Sequence, residues 1–142
     1  MKQVFKVGTA TGVGMFDLPE EKKAGSKHAL YALGRLKPGE MNKTEQAFST
    51  HLEFLRLKGD VLWWKFGAVK LRIAPNTHIT VDFAVLMSDG HLTMIEVKGH
   101  RALYQEDAKA KMKVAADAFP FKFFVAYPQG KLGASAWDIE EV

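Results

Sequence analysis

The sequence predicts a mixed α/β fold with the element order αβββαβ. A capped helix begins at Asn42, and strand patterns rich in β-branched and aromatic residues occupy most of 61–99. A second helical pattern over 101–119 stops at Pro120, before an apolar strand at 121–126. Because this second helix separates two strands, a parallel crossover between them is expected.

Length and composition limit the class of protein. The 142 residues suit about one domain, and 47% hydrophobic content with 10 Phe and 3 Trp is enough for a packed core. The net charge of +4 is compatible with a polyanionic partner. The absence of Cys excludes disulfides, thiolate metal sites and Cys nucleophiles. No apolar run reaches the roughly 20 residues of a membrane span, so we expect a cytoplasmic protein without a membrane partner.

Three regions are expected along the chain. Residues 1–41 are predicted to form a partly ordered arm, in which the glycine-rich segment 8–14 lacks the Gly-Lys-Ser/Thr ending of a phosphate-binding loop. Residues 42–126 are predicted to form the core domain. Residues 127–142 are predicted to be a tail that packs on this core, with Trp137 folded back over it.

The first helix carries a strong start signal. Asn42 is a favourable N-cap, and Glu45 completes a capping-box pattern three residues later. Phe48, Leu52 and Leu55 recur at three- and four-residue spacing and predict the buried face. Glu45 continues this apolar stripe. Two roles therefore stay open for it, a helix cap and a carboxylate that faces the interior.

The strand patterns contain unusual charges. Segments 61–66 and 69–73 precede a hairpin of 79–86 and 91–99, which carries Asp82 in its first strand. Charged side chains are disfavoured in such apolar strands unless they are paired or bind a metal. The hairpin is therefore the first place to look for a functional site.

The turn of this hairpin decides whether Asp82 and Glu96 can act together. A two-residue loop would point the two carboxylates to opposite faces. A three-residue loop at 88–90 places Asp82 opposite Glu96, and Gly90 then takes the left-handed position that such loops favour. Lys98 shares the face of Glu96 by alternation. The sequence therefore predicts that these charged groups converge.

Converging carboxylates of this kind suggest a metal site. Two carboxylates a few ångströms apart raise each other's pKa unless a cation lies between them. Oxygen ligands without Cys or His suit Mg²⁺ or Mn²⁺ better than Zn²⁺. Lys98 could position or deprotonate a water, or neutralise charge on a phosphate, and Glu45 could hold the ion directly or through water. Such a set is suited to phosphodiester hydrolysis.

These residues carry a resemblance to a known family. Val81-Asp82, followed by Glu96-Val97-Lys98 and preceded by a helix bearing Glu45, resembles the PD-(D/E)XK nuclease superfamily. The resemblance covers about residues 42–126 and implies the restriction-endonuclease-like fold, an αβββαβ core with a central mixed sheet flanked by helices. Within the superfamily, the chain is similar to small phage-encoded endonucleases, including Holliday-junction resolvases and virus-type replication-repair nucleases. Val81 stands where the family name expects Pro, at a position that varies.

The resemblance also implies an activity. Asp82 and Glu96 would hold Mg²⁺ or Mn²⁺ with the backbone carbonyl of Val97, Lys98 would be the catalytic lysine, and Glu45 would complete the site. A metal-activated water would attack a DNA phosphodiester in line. A homodimer would be expected for a junction substrate, and the host-cell cytoplasm would be the location of a phage-encoded protein. Polar and basic residues would contact DNA: Lys70, Arg72, Arg101, Gln105, Lys109 and Lys113.

Each residue also has an ordinary alternative role. Glu45 can serve only the helix cap, and Asp82 can be a strand-end residue bonded to backbone amides. Glu96 and Lys98 can form an exposed ion pair worth at most about 1 kcal/mol. The lysines of the second helix can be a solvated face. For the whole chain, the alternative is a nucleic-acid-binding or assembly module on the same fold without catalysis.

Overall fold

The computed structural model of the chain describes residues 36–37, 39–131 and 136–142. The predictions for the N-terminal arm up to residue 35, including the glycine-rich segment 8–14, lie outside the described residues. Residues 41–142 form one compact unit. Within the described ranges, none of the helices has the length and apolar character required to cross a membrane.

The first helix, α1 (Lys43–Lys58), begins as its sequence predicts. The Asn42 side chain accepts a hydrogen bond from the backbone N–H of Glu45 at 2.9 Å, and the Glu45 carboxylate accepts one from the backbone N–H of Asn42 at 2.8 Å. This capping box satisfies two donors that a helix N-terminus otherwise leaves unpaired. The predicted capping role of Glu45 is therefore confirmed.

The second helix begins later than the sequence predicts. A 3₁₀ turn at Arg101–Leu103 comes first, and α2 (Glu106–Ala118) follows with Gln105 as its N-cap residue. Between them the backbone of Tyr104 is extended, with its side chain buried in the core. This anchor prevents one continuous helix over 101–119. Gln105 consequently lies at the N-terminal end of α2, as its cap residue.

The described residues contain seven strands in two sheets. The strands are β1 (Val61–Phe66), β2 (Lys70–Ala74), β3 (Thr77–Thr80), β4 (Phe83–Met87), β5 (Leu92–Val97), β6 (Lys122–Pro128) and β7 (Trp137–Glu141). Five of them form a mixed sheet in the order β1-β4-β5-β6-β7, and β2 pairs only with β3. Strands β5 and β6, which flank α2, are parallel. The expected parallel crossover is thus confirmed.

Two strand predictions need correction. The segment 79–86 forms parts of two strands, because the backbone leaves the ladder at Val81 and Asp82. The Val81 N–H donates to the carbonyl of Val69 at 3.3 Å, and the Gly67 N–H donates to the carbonyl of Asp82 at 2.7 Å. These bonds join the base of the β2–β3 hairpin to the main sheet.

The segment 127–142 also differs from the expected tail. Strand β6 extends to Pro128, and β7 pairs with it antiparallel at the edge of the main sheet. The Trp137 ring, on this added strand, packs edge-on against Phe48 of α1 with 4.8 Å between ring centroids. The C-terminal segment is therefore part of the sheet.

The main sheet has a core on each face. On one face, Phe48 and Leu52 of α1 pack over residues of β4, β5 and β6, which are Phe83, Val85, Ile95, Val97 and Ala126. On the other face, α2 and the β2–β3 hairpin pack over the alternate residues, with Leu71 and Met112 among the buried contacts. Since side chains alternate along a strand, Glu96 belongs to the face covered by α2 and the hairpin, whereas Asp82 precedes β4 and directs its carboxylate toward the backbone of β5.

The predicted register of the β4–β5 hairpin is confirmed. Phe83 pairs with Ile95, and the ladder continues without a shift to Leu86 and Leu92. Residues 88–90 form the three-residue turn, and Gly90 has a φ of 90°. Continuing the same register beyond Phe83 places Asp82 opposite Glu96.

Because Gly90 holds the left-handed conformation, Gly90→Ala is expected to destabilise the fold by about 1–2 kcal/mol. An added Cβ would meet no atom within 4 Å, so only the backbone conformation would oppose it. Urea denaturation measures the effect, with Ser88→Ala in the same exposed turn as the control. A Gly90→Ala variant as stable as the control would show that the turn tolerates a right-handed geometry.

Candidate functional site

The Asp82 carboxylate is held at the end of β4 by the backbone of β5. Its Oδ2 accepts a hydrogen bond from the N–H of Val97 at 2.8 Å. The ladder of β4 begins only at Phe83, so the side-chain oxygen replaces a main-chain acceptor at this point. The orientation of Asp82 is therefore fixed by the sheet itself.

A carbonyl oxygen accompanies this carboxylate. The N–H and C=O of one strand residue point to the same side of the strand. Because the Val97 N–H points toward Asp82, the carbonyl of Val97 is directed to the same side. The other side of β5 is bonded to β6, where the Lys98 N–H donates to the carbonyl of Ala126 at 3.0 Å.

Glu96 and Lys98 form an ion pair that is mostly shielded from water. Lys98 Nζ lies 3.1 Å from Glu96 Oε2, and the two side chains are 27% and 15% exposed. The alternative of an exposed surface pair is therefore wrong. Burial would lower the pKa of Lys98, but the charges of the nearby carboxylates, led by Glu96, outweigh it and raise that pKa. The lysine consequently stays a cation.

The two carboxylates have too little positive charge around them. Burial, followed by the charge of Glu96, raises the pKa of Asp82 to about 7, although the Val97 N–H opposes the rise. Burial also raises the pKa of Glu96 above its ordinary value, against the opposing charge of Lys98. One lysine does not offset both carboxylates, and a bound cation would.

Glu45 lies near this site but is engaged elsewhere. Its Oε2 serves the helix cap at Asn42, while its charge contributes to the raised pKa values of Asp82 and Glu96. Among the described residues, no group of three or more His, Cys, Asp or Glu side chains is arranged to hold a metal ion. The oxygens that the structure brings together are thus two carboxylates and one carbonyl, with Glu45 farther out.

A cleft beside Glu96 contains residues that the sequence did not single out as a site. It has a volume of about 200 Å³ and lies between α2 and the β2–β3 hairpin, with lining residues that include His78, Thr80, Glu96, Asp107 and Lys111. Asp107 carried no sequence prediction, and for Lys111 the sequence left two roles open, a solvated helix face shared with Lys109 and Lys113 or a contact with the DNA backbone. Asp107 and Lys111 are four residues apart, and Lys111 precedes the buried Met112. This spacing could have indicated that Asp107 and Lys111 are neighbours on one face of the helix.

No protein-family model, curated protein or solved structure matches this chain. The resemblance to the PD-(D/E)XK superfamily therefore rests on the sequence motif alone.

The residues predicted to contact DNA do not gather in one place. Lys70 and Arg72 are exposed on β2. The guanidinium of Arg101 instead binds Asp138 and Glu140 of β7.

The remaining predicted contacts lie on or before α2. Lys109 Nζ lies 3.0 Å from Glu106 Oε1. Lys113 lines a second cleft of about 170 Å³, which it shares with Glu140. Gln105 is exposed and makes no side-chain bond to cap α2. The residues predicted to contact DNA therefore form two groups. The hairpin group is Lys70 and Arg72, and the helix group is Arg101, Gln105, Lys109 and Lys113.

Proposed function

We propose that this chain is a divalent-metal-dependent endonuclease of the PD-(D/E)XK type, with a restriction-endonuclease-like core, that hydrolyses DNA phosphodiester bonds. The observation that carries the proposal is the meeting of two partly buried carboxylates, Asp82 and Glu96, beside a single lysine. The charge of Glu96 acts on Asp82, and burial together with this charge raises the pKa of Asp82 to about 7. Lys98 completes the constellation at 3.1 Å from Glu96.

The donor atoms fit Mg²⁺ or Mn²⁺. Mg²⁺ is usually bound by one or two carboxylates and keeps several waters. Asp82, Glu96 and the carbonyl of Val97 supply hard oxygen atoms, and Glu45 is placed to act through water. An ion bound there would supply Lewis acidity, which lowers the pKa of a water and offsets negative charge on a phosphate.

The side chains have distinct roles in this proposal. Asp82 is oriented in advance by the Val97 N–H, so little reorganisation accompanies binding. Lys98 keeps its charge and orients Glu96 through their ion pair. Its ammonium would stabilise the negative charge that develops on the phosphate during in-line attack. Glu45 adds negative charge to the site from the first turn of α1.

A cleavage panel tests the proposal with the wild-type protein. Labelled single-stranded, duplex, flap, splayed and four-way DNA would be incubated with Mg²⁺, Mn²⁺ or EDTA, with matched RNA strands alongside. We expect cleavage of at least one DNA with either ion and none with EDTA. Preference for the four-way substrate by a dimeric species would support the junction-resolving subtype.

The other outcomes assign the chain differently. DNA binding without cleavage under any metal condition would favour a non-catalytic nucleic-acid-binding module. Cleavage confined to RNA would contradict the DNA assignment. Cleavage that persists in EDTA would contradict the metal dependence.

A further inference from the structure

The hairpin β2–β3 forms a ribbon with one basic and one apolar face. The β2–β3 pairing places Lys70 opposite Thr80 and Arg72 opposite His78, so all four side chains lie on one face, and all four residues are exposed. Side chains of the other face, Leu71 among them, pack into the core. The ribbon therefore presents its basic side chains to solvent.

The hairpin itself carries no acidic side chain, although Glu96 and Asp107 line the cleft at its edge. Residues 61–81 include Lys65, Lys70 and Arg72 but neither Asp nor Glu. In the described part of the chain, the side chains of Lys70 and Arg72 make no hydrogen bond or ion pair. Their charges are thus available to a polyanion, and its binding would release counterions from the polyanion.

The cations of the helix group are in the opposite situation. Arg101 binds two carboxylates of β7 and lies over the Tyr127 ring, 4.6 Å from its centroid. Lys109 is paired with Glu106, and Lys113 faces a cleft that is also lined by acidic residues of β7. These charges are largely offset within the protein, which leaves less attraction for phosphate groups.

The basic ribbon leads to the candidate site. Two residues of its outer face, His78 and Thr80, line the cleft that contains Glu96 and Lys111. The volume of this cleft is about 200 Å³, whereas small-molecule sites usually measure about 300–1,000 Å³. A cleft of this size suits a short stretch of a polymer backbone better than a complete small ligand.

We propose that the DNA backbone lies along the outer face of the β2–β3 hairpin and enters the cleft between Glu96 and Lys111. Arg101 and Lys109 then serve the protein's own ion pairs, Lys113 faces the acidic cleft beside β7, and none of the three holds DNA. This inference rests on the proposed function and specifies which surface binds the substrate.

Two charge-matched double variants test it. Lys70→Met with Arg72→Met, and Lys109→Met with Lys113→Met, each remove two positive charges. Affinity for a labelled duplex would be measured by fluorescence anisotropy in Ca²⁺, which replaces Mg²⁺ to suppress cleavage, over a range of salt concentrations. We expect the hairpin pair to weaken binding about tenfold and to reduce the salt slope by about 2, and the helix pair to change affinity less than about twofold.

A second pair tests the cleft itself. Lys111 and Lys113 lie two residues apart on α2, and of the two only Lys111 lines the Glu96 cleft. Lys111→Met is expected to lower the cleavage rate in Mg²⁺ by about tenfold at saturating DNA, while Lys113→Met leaves it unchanged. Thermal melts of every variant show whether the fold is intact.

The outcomes separate this inference from the proposed function. If the wild type still cleaves DNA, equal losses of affinity in both double variants, or a larger loss in the helix pair, would overturn this inference and leave the proposed function intact. Equal cleavage rates of the Lys111→Met and Lys113→Met variants would show that the DNA does not enter the cleft. A wild type that neither binds nor cleaves DNA would overturn the proposed function and this inference together.

Discussion

Replacement of Asp82 by Asn is expected to lower Mg²⁺-dependent DNA cleavage by at least about 10²–10³-fold. Asn has nearly the same volume, and its carbonyl oxygen can still accept the hydrogen bond that the Val97 N–H donates at 2.8 Å. The substitution thus removes the negative charge that would hold the ion while it preserves the contact between β4 and β5. Single-turnover cleavage rates at saturating Mg²⁺ measure the effect.

Asp89→Asn provides a matched control in the same hairpin. Asp89 lies in the exposed turn, where its carboxylate accepts a hydrogen bond from the His91 N–H at 3.0 Å. The control variant has the same change of charge and should cleave DNA like the wild type. Equal losses in the two variants would assign the effect to the net charge of the hairpin, and full activity of Asp82→Asn would exclude Asp82 as a metal ligand.

The register of the hairpin could be predicted because it depends on local turn chemistry. A three-residue loop requires a left-handed residue at its end, and Gly90 supplies it without steric penalty. The register from Phe83 and Ile95 then brings Asp82 beside Glu96. The proximity of these two carboxylates could therefore be predicted from residues within a single hairpin.

The break between β3 and β4 could not be predicted in the same way. The run from Ile79 to Leu86 has the composition of one continuous strand. It is interrupted because backbone groups of Val81 and Asp82 bond to Val69 and Gly67. These tertiary bonds override the local preference, and they also free the Asp82 side chain to bond with β5.

For a related reason, the sequence did not predict the edge strand β7 or the division of the cations into two groups. The segment Trp137–Glu141 alternates apolar and acidic residues, which is the pattern of a strand with one buried face. Its acidic residues gave it the appearance of a tail. Arg101 binds Asp138 and Glu140, which lie 37 and 39 residues farther along the sequence. Only the folded structure therefore shows that these carboxylates offset the charge of Arg101.

The second large effect concerns stability without metal. The folded chain holds a proton on Asp82 up to about pH 7, whereas the ordinary pKa of 3.8 applies when the chain is unfolded. Between these values the folded state binds more protons, so the free energy of unfolding must fall as pH rises. In EDTA, we expect the wild type to lose about 2 kcal/mol of stability from this group between about pH 5 and about pH 8.

Asp82→Asn should remove this loss, because the amide does not titrate. In urea denaturation with EDTA, the variant is expected to exceed the wild type by about 2 kcal/mol near pH 8 and to approach it as the pH falls. Asp89→Asn should give no such gain, since hydrogen bonds from His91 lower the pKa of Asp89.

Addition of Mg²⁺ should make the wild type more stable than the Asp82→Asn variant. An ion that binds only the folded state stabilises it by RT ln(1 + L/Kd), where L is the free ion concentration, so tighter binding stabilises more, and the variant lacks one of the carboxylates that would hold the ion. A substitution that stabilises the metal-free fold, yet abolishes both cleavage and Mg²⁺-dependent stabilisation, would be the thermodynamic signature of a carboxylate kept for metal binding at the expense of stability. A variant that is less stable than the wild type in EDTA near pH 8 would instead show that the negative charge of Asp82 stabilises the fold without a metal ion.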